Sequence, residues 1–377
     1  MNIAFFNHTL RVGSGIDTVI FELASRLTRR HNVTVFTLYS EYTEVPFTLR
    51  ILETWIRNQF GITTLYPMLP SAFRACKELQ TFDIINAHLY PSNVVASRVK
   101  GPVKVFVEWS TVDPARFSEY AHERLYARLL VSGNRYAARR ADHLLVPSGF
   151  VKSWVEENFG LRSVQMLLDG INFDLFDRGR VTPSIVHENF PELKDGKMIL
   201  FVGRIAPNKG IEQLVRSFAE VREVHKDAFL VIVGELTYPR YYATLKSLVR
   251  ELHLNRHVIF TGLVSRQDLP AYYAAASVYA SCSPWEGFLR AEPYAFAKPM
   301  VAFDCSSNAE TIRNGETGYL ASSGDTKQFA SYVSMLLGDE ALASQMGERG
   351  YEWARSHLDF EIIGKSVEDF FELTYKK

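Results

Sequence analysis

The chain repeats one pattern from end to end: a short apolar run rich in β-branched residues, a turn, and a longer segment with helical periodicity. Asn2–Phe6 leads through the turn Gly13-Ser14-Gly15 into Ile16, Ile20, Leu23, Ala24 and Leu27, which share one helix face. Val33–Leu38, Ile84–Asn86, Val103–Val107 and His143–Val146 continue as strands. A second series opens at Met198–Val202. It runs through a helix over Gly210–Val224, strand Phe229–Val233, helix Tyr241–Leu252, strand Val258–Thr261, helix Gln267–Ala275 and strand Val278–Ala280. Strands that alternate with helices build parallel sheets covered on both faces. The expected class is therefore α/β, with two doubly wound domains, and 377 residues are enough to give each its own core. Asp169–Lys197, with Gly170, Gly179, Pro183, Pro191 and Gly196, has the composition of a linker. This puts the expected boundaries at 1–178 and 179–358. Asp359–Tyr375, with Phe360, Ile363, Val367, Phe370, Phe371 and Tyr375, reads as a last amphipathic helix.

Charge and cysteine content narrow the function classes. Lys plus Arg and Asp plus Glu are equal at 42 each, which argues against an electrostatic grip on nucleic acid. Cys76, Cys282 and Cys305 are odd in number and scattered, as expected in a reducing compartment, and they form neither a disulfide framework nor a zinc site. MNIAFFNHTL lacks a signal-peptide pattern. The most apolar long window, Ile51–Ala75, is interrupted by Glu53, Arg57 and Arg74, so no transmembrane helix is expected and the location reads as cytoplasmic.

The segment Ser283–Ala302, SPWEGFLRAEPYAFAKPMVA, carries the chemistry. Glu286 and Glu292 flank a Gly-Phe loop, a helix-like run follows, and Lys-Pro leads into an apolar strand. A helix N-terminus presents backbone N–H groups to phosphate or sugar oxygens, and a carboxylate in its first turn can accept two ribose hydroxyls. Arg204 and Lys209 lie in the loop after Met198–Val202, at the strand end where open α/β sheets bind ligands. Arg, as a forked donor, and Lys, as a point charge, suit a diphosphate, although the same pair on a solvated loop would be ordinary surface charges.

This segment resembles the signature of glycosyltransferase family 4, the retaining nucleotide-sugar glycosyltransferases of GT-B fold, whose pattern is Glu-Gly-Phe-Gly, Glu-Ala-Met-Ala and Gly-x-Pro-Val-Val-Ala. The likeness extends over nearly the whole chain through ADHLLVPSGFVKSWVEENFG, DGINFDLF and FVGRIAPNKGIEQLVRSF. It implies two Rossmann-like domains facing across a cleft: an N-terminal domain for the acceptor, with residues 359–377 packing back on it, and a C-terminal domain for the donor. By resemblance Arg204 and Lys209 hold and stabilise the departing diphosphate, and Glu292 takes the ribose hydroxyls. Glu286 lies near the sugar, and Gly287, Phe288 and Leu289 offer backbone N–H groups to it. The family separates its two glutamates by seven residues; here five lie between Glu286 and Glu292. The nucleotide sugar is a substrate, and the resemblance implies neither a cofactor nor a metal ion. The chain has no Asp-x-Asp motif.

Gly15 matches the second glycine of the family's Gly-Gly turn, which lets donor phosphate or acceptor approach the backbone, while Ser14 stands at the first. The turn reads equally well as a tight βα connection that needs glycine for its φ angle. His88, just past a strand, resembles the family's Val-His-x-His segment, and Trp109 stands where many members have another histidine. Either ring is a candidate for acceptor or sugar contact, and either is compatible with a packed interior. Arg124, Arg128, Arg135 and Arg139 form one helical stripe beside Leu125, Leu129 and Tyr136, within an arginine-rich segment that runs from Arg116 to Arg140. That pattern fits peripheral contact with an anionic membrane, and it fits a solvated helix face as well. The function expected is transfer of a hexose to a glycan, lipid-linked or small-molecule hydroxyl. The alternatives are a nucleotide-sugar epimerase of the same architecture or a non-catalytic nucleotide-sugar-binding relic.

Overall fold

The structure is a computed structural model describing residues 1–52, 66–109, 121–236 and 238–376, with only the backbone described for 121–126. Glu53, Arg57, Arg116 and the side chains of Arg124 and Leu125 therefore lie outside the described residues. The chain divides into two compact units, Met1–Gly170 with Phe360–Lys377, and Ile171–Asp359. The boundary falls at Gly170/Ile171 rather than 178/179, and the segment read as a linker is built into the second unit. Phe173 and Phe176 are buried there, and Ser184–Asn189 and Pro191–Leu193 form short helices. Aromatic side chains that pack against Tyr351, Tyr273 and Phe296 overrule the turn-like composition around them.

The first unit holds a parallel sheet of Asn2–Phe6 (β1), Asn32–Thr37 (β2), Thr48–Ile51 (β3), Ile84–His88 (β4), Val103–Val107 (β5), His143–Val146 (β6) and Val164–Met166 (β7). Their spatial order is β3-β2-β1-β4-β5-β6-β7. The central strands are apolar on both faces because helices cover both: Ile3 and Phe5 pack with Leu23 and Leu27 on one side, Ala4 and Phe6 with Val95 and Val151 on the other. β3 and β7, at the edges, are largely exposed. The C-terminal helix Phe360–Tyr375 packs on the helix Gly15–Leu27, burying Phe360, Ile363, Val367 and Phe371. Glu361 meets Arg26 and Arg29 at 2.9 and 2.8 Å, and Glu368 meets Arg30 and His31 at 3.0 and 3.1 Å.

The second unit repeats the scheme with Lys197–Val202 (β8), Ala228–Val233 (β9), Val258–Gly262 (β10), Val278–Ser281 (β11), Met300–Asp304 (β12) and Gly318–Ser322 (β13). These also pair in parallel, in the order β10-β9-β8-β11-β12-β13. The order reverses between β8 and β11 here and between β1 and β4 in the first unit. In a doubly wound sheet the loops leaving such neighbouring strands diverge and leave a crevice at their carboxyl ends. Among the described residues, no helix is long and apolar enough to cross a membrane.

Candidate functional site

The loops that leave β8 and β11 carry the charged residues singled out in the second unit and bring Lys209 and Glu286 together. β8 ends at Val202, and Gly203-Arg204 leads to the 3-10 turn Pro207–Lys209 and the helix Ile211–Val224. Gly210 joins turn to helix at φ +62°, and a Cβ there would stand 2.0 Å from the Cys282 carbonyl oxygen. The two loops thus approach so closely that only glycine fits. Ser283 ties them further, its hydroxyl lying 3.2 Å from the Asn208 carbonyl and 3.1 Å from that of Trp285.

Lys209 reaches across to Glu286, its Nζ lying 2.7 and 2.8 Å from the two carboxylate oxygens. The pair is only partly solvated, at 18 % and 15 % side-chain exposure. Glu286 is itself held at the backbone: its N–H donates to Ser306 Oγ, and its carbonyl accepts from Ser307 Oγ, both at 3.0 Å. Glu292 accepts from Arg290, whose guanidinium also lies toward the Tyr273 hydroxyl. Arg204 is exposed on the same loop as Lys209. Gly287 and Phe288 are half-buried, whereas Leu289 is 1 % exposed and its side chain belongs to the core. The helix-like run after Glu292 is a 3-10 helix of five residues, Glu292–Phe296, not an α-helix. Ala297 turns it off at φ +51°, and Pro299 denies the helical region to Lys298. Glu292 is nevertheless fixed, because Pro293, Tyr294, Ala295 and Phe296 beside it are all buried.

In the first unit the loop after β1 is organised by a residue that the periodicity argument passed over. Asp17, 1 % exposed in the first turn of the helix Gly15–Leu27, accepts from Asn7 Nδ2 at 2.7 Å, the Arg11 N–H at 2.9 Å and Thr9 Oγ1 at 3.2 Å. Burial is the largest influence on its carboxyl and raises it from 3.8 to about 6 despite these donors. The signal was an acidic residue in line with Ala24 on the buried stripe. Ser14 is the N-cap, its carbonyl accepting from Thr18. The left-handed φ of the turn, +81°, belongs to Gly13. A Cβ on Gly15 would meet nothing within 4 Å. Packing does not demand glycine at that position, which leaves the backbone there open to approach.

The structure places the rings of both His88 and Trp109 in the core. His88 is fully buried and Trp109 is 9 % exposed. Trp109 Nε1–H donates to His88 Nδ1 at 2.9 Å, and His88 Nε2 lies 2.8 Å from Asn86 Oδ1. Asn86 spends its amide N–H on the Val105 carbonyl, so His88 must carry its single proton on Nε2. Both ring nitrogens are used, and burial lowers the imidazole from 6.5 to about 3. The rings lock β4 to β5 inside the core. The arginine stripe also shortens. The helix Ala121–Ala138 ends before Arg139, whose guanidinium donates to the Phe159 carbonyl at 3.1 Å. Arg128, Arg135, Leu129 and Tyr136 remain exposed along it.

Comparison with known proteins extends over both units. Residues 185–353 match the family model described as Glycosyl transferases group 1, and residues 13–175 match the one described as Glycosyltransferase Family 4. The GDP-mannose-dependent alpha-(1-6)-phosphatidylinositol monomannoside mannosyltransferase of Mycolicibacterium smegmatis is 29 % identical over 261 residues, 66 % of this chain and 67 % of that protein. The capsular polysaccharide biosynthesis glycosyltransferase CapM of Staphylococcus aureus is 26 % identical over 55 % of this chain and 54 % of its own. Sucrose-phosphate synthase from Thermosynechococcus elongatus superimposes with a TM-score of 0.83 at 20 % identity, covering 100 % of this chain and 99 % of that one. HepE from Anabaena, solved with UDP and glucose, gives 0.82 at 18 % identity over 99 % of both chains. The GT-B architecture is thereby shown, and the epimerase alternative finds no support among these likenesses.

Proposed function

The chain belongs to glycosyltransferase family 4, and on that premise we propose that it moves a hexose from a nucleotide-diphosphate sugar to an acceptor hydroxyl, with retention at the anomeric carbon and without a metal ion. One observation carries this reading: Arg204 and Lys209 leave β8, Glu286 and Glu292 leave β11, and these strands flank the point where the sheet order reverses. As the bond from the anomeric carbon to the diphosphate breaks, negative charge grows on the departing phosphate. Arg204 and Lys209 neutralise it, the kind of charge stabilisation that dominates such reactions. The departing phosphate oxygen takes the acceptor's proton while the new glycosidic bond forms on the same face. Glu292 accepts the ribose hydroxyls. Glu286 holds Lys209 through both its oxygens until an incoming diphosphate competes for the ammonium.

The acceptor goes to the first unit, where the backbone at Gly15 is open to approach. A glycan or lipid-linked hydroxyl is favoured because the similar proteins are named for phosphatidylinositol mannoside and capsular polysaccharide synthesis. Peripheral contact with anionic lipid through Arg128 and Arg135, flanked by Leu129 and Tyr136 at 47 % and 43 % exposure, suits such an acceptor. A thermal-shift screen of UDP-, GDP- and ADP-sugars tests the core of the reading, because a bound donor raises stability by RT ln(1 + [L]/Kd). One donor should stand out and should release its nucleoside diphosphate only when an acceptor is present, in EDTA as well as without it. No response to any of the three overturns the donor site. Loss of turnover in EDTA overturns the metal-free route.

A further inference from the structure

Ser306, in the loop after β12, holds a backbone conformation that its side chain does not favour. Its φ is +51°, in the left-handed region that glycine enters freely and that crowds any residue with a Cβ. Strain of this kind persists only where the surrounding structure enforces it, and it collects at functional sites. The loop is pinned on both sides of the strained residue. The Cys305 N–H donates to the Phe303 carbonyl at 2.9 Å, and the fully buried Asn308 donates through Nδ2 to the same carbonyl, also at 2.9 Å. What this conformation delivers lies on the loop that leaves the neighbouring strand, β11. Ser306 Oγ accepts from the Glu286 N–H, and Ser307 Oγ, on a fully buried side chain, donates to the Glu286 carbonyl, both at 3.0 Å. The next residue is Gly287, the residue type that restricts the backbone least. The direction of the Glu286 carboxylate is therefore set from outside its own loop, by two serines at its backbone and Lys209 at its tip.

We propose that Ser306 is a positioning residue for the donor site: it fixes the backbone of Glu286 so that the carboxylate is aimed at the donor sugar. The inference rests on the reading of Glu286 as the glutamate near that sugar. The two serines match the polarity of the backbone they grip, an acceptor for the N–H and a donor for the carbonyl. A turn of the chain about either backbone bond of Glu286 breaks at least one of these contacts, so the pair holds φ and ψ together. Glycine at position 306 would relieve the strain and surrender the hydroxyl. Stability and donor selection thus pull in opposite directions at this one residue. The effect falls on the sugar rather than the nucleotide, whose ribose and phosphates are assigned to Glu292, Arg204 and Lys209.

Calorimetry on the full chain tests this with UDP, GDP and ADP, and with the glucose and mannose conjugates of whichever one binds. The quantity read is the ratio of dissociation constants, conjugate to bare nucleoside diphosphate, for the sugar that wild type prefers. Ser306→Gly should shift that ratio by about threefold or more and leave the affinity for the bare diphosphate within about twofold of wild type. Ser306→Ala should shift the ratio alike but melt at a lower temperature than Ser306→Gly, since only glycine is at ease at this φ. Glu286→Ala should shift the ratio too, and adding Ser306→Gly to it should change nothing further, because the hydroxyl acts through Glu286 alone. A ratio unchanged in Ser306→Gly overturns the proposal. So does an equal loss for conjugate and bare diphosphate, or a double variant whose shift exceeds that of Glu286→Ala. If Glu286→Ala itself leaves the ratio unchanged, the reading of Glu286 is wrong and the proposal falls with it. If Glu286→Ala shifts the ratio and Ser306→Gly does not, the donor site stands and only the positioning role is wrong.

Discussion

Two buried groups at the carboxyl end of the first sheet titrate in opposite senses, and each contribution is measurable through its own variant. Burial lowers His88 from 6.5 to about 3 and raises Asp17 from 3.8 to about 6. As pH falls from 6.5 toward 3, the unfolded chain protonates His88 and the folded protein does not, so stability is lost. As pH falls from 6 toward 3.8, the folded protein protonates Asp17 and the unfolded chain does not, so stability is gained. Each proton difference changes stability by about 1.4 kcal/mol per pH unit. Between pH 7 and about pH 4.5, His88 therefore removes about 3 kcal/mol while Asp17 restores about 2, a net loss of about 1. His88→Gln abolishes the first contribution and Asp17→Asn the second. The assay is urea unfolding across this range, with hydrogen exchange of the Ile84–Val107 segment assigning the transition to the first unit. Both variants lose hydrogen bonds at every pH, so the informative quantity is the pH dependence of the difference from wild type. That difference should move toward stabilisation by about 3 kcal/mol in His88→Gln as the pH falls, and toward destabilisation by about 2 in Asp17→Asn. Variant curves that run parallel to wild type would refute the reasoning, because the groups would then titrate alike in both states.

Arg204→Ala and Lys209→Ala should each lower kcat on the order of 10²–10³ with folding intact, since each removes charge stabilisation from a surface loop; a double variant with wild-type turnover means the leaving group is held elsewhere. Glu292→Ala should weaken binding of the bare nucleoside diphosphate, and Glu286→Ala should alter turnover or sugar choice with little effect on that binding. Equal losses in calorimetry would show that this division of roles is wrong. Gly210→Ala drives a Cβ to 2.0 Å from the Cys282 carbonyl at a left-handed φ of +62°, and should cost at least about 1–3 kcal/mol of stability. Its nucleotide affinity should fall in parallel, and an unchanged melting temperature would mean that the two loops are not so tightly apposed. Co-sedimentation with anionic vesicles at low salt should fall when Arg128 and Arg135 are both replaced by Ala, and equal binding to neutral vesicles leaves the helix face a solvated one.

What was legible in the sequence follows what burial imposes on it. Strands in the middle of each sheet are covered on both faces and read as unbroken apolar runs, which is why β1, β5 and β6 stand at Asn2–Phe6, Val103–Val107 and His143–Val146 as expected. The edge strands β3 and β7, with most of their residues exposed or half-exposed, carry no such run and went unread. Motif spacing placed Arg204, Lys209, Glu286 and Glu292 on loops of neighbouring strands, but it could not say which charges would meet. Lys209 and Glu286 are 77 residues apart and join only because β8 and β11 pair. A strand-end position fixed the end of the sheet at which His88 lies without fixing the direction of its ring, and direction decides between a substrate contact and a core lock. The shortened loop is the instructive case. Glu286 is held by Lys209, Ser306 and Ser307, and the loop's own Arg290 takes Glu292. A deletion that looks like the erosion of a motif thus leaves both of its carboxylates in place, each partnered by a cation.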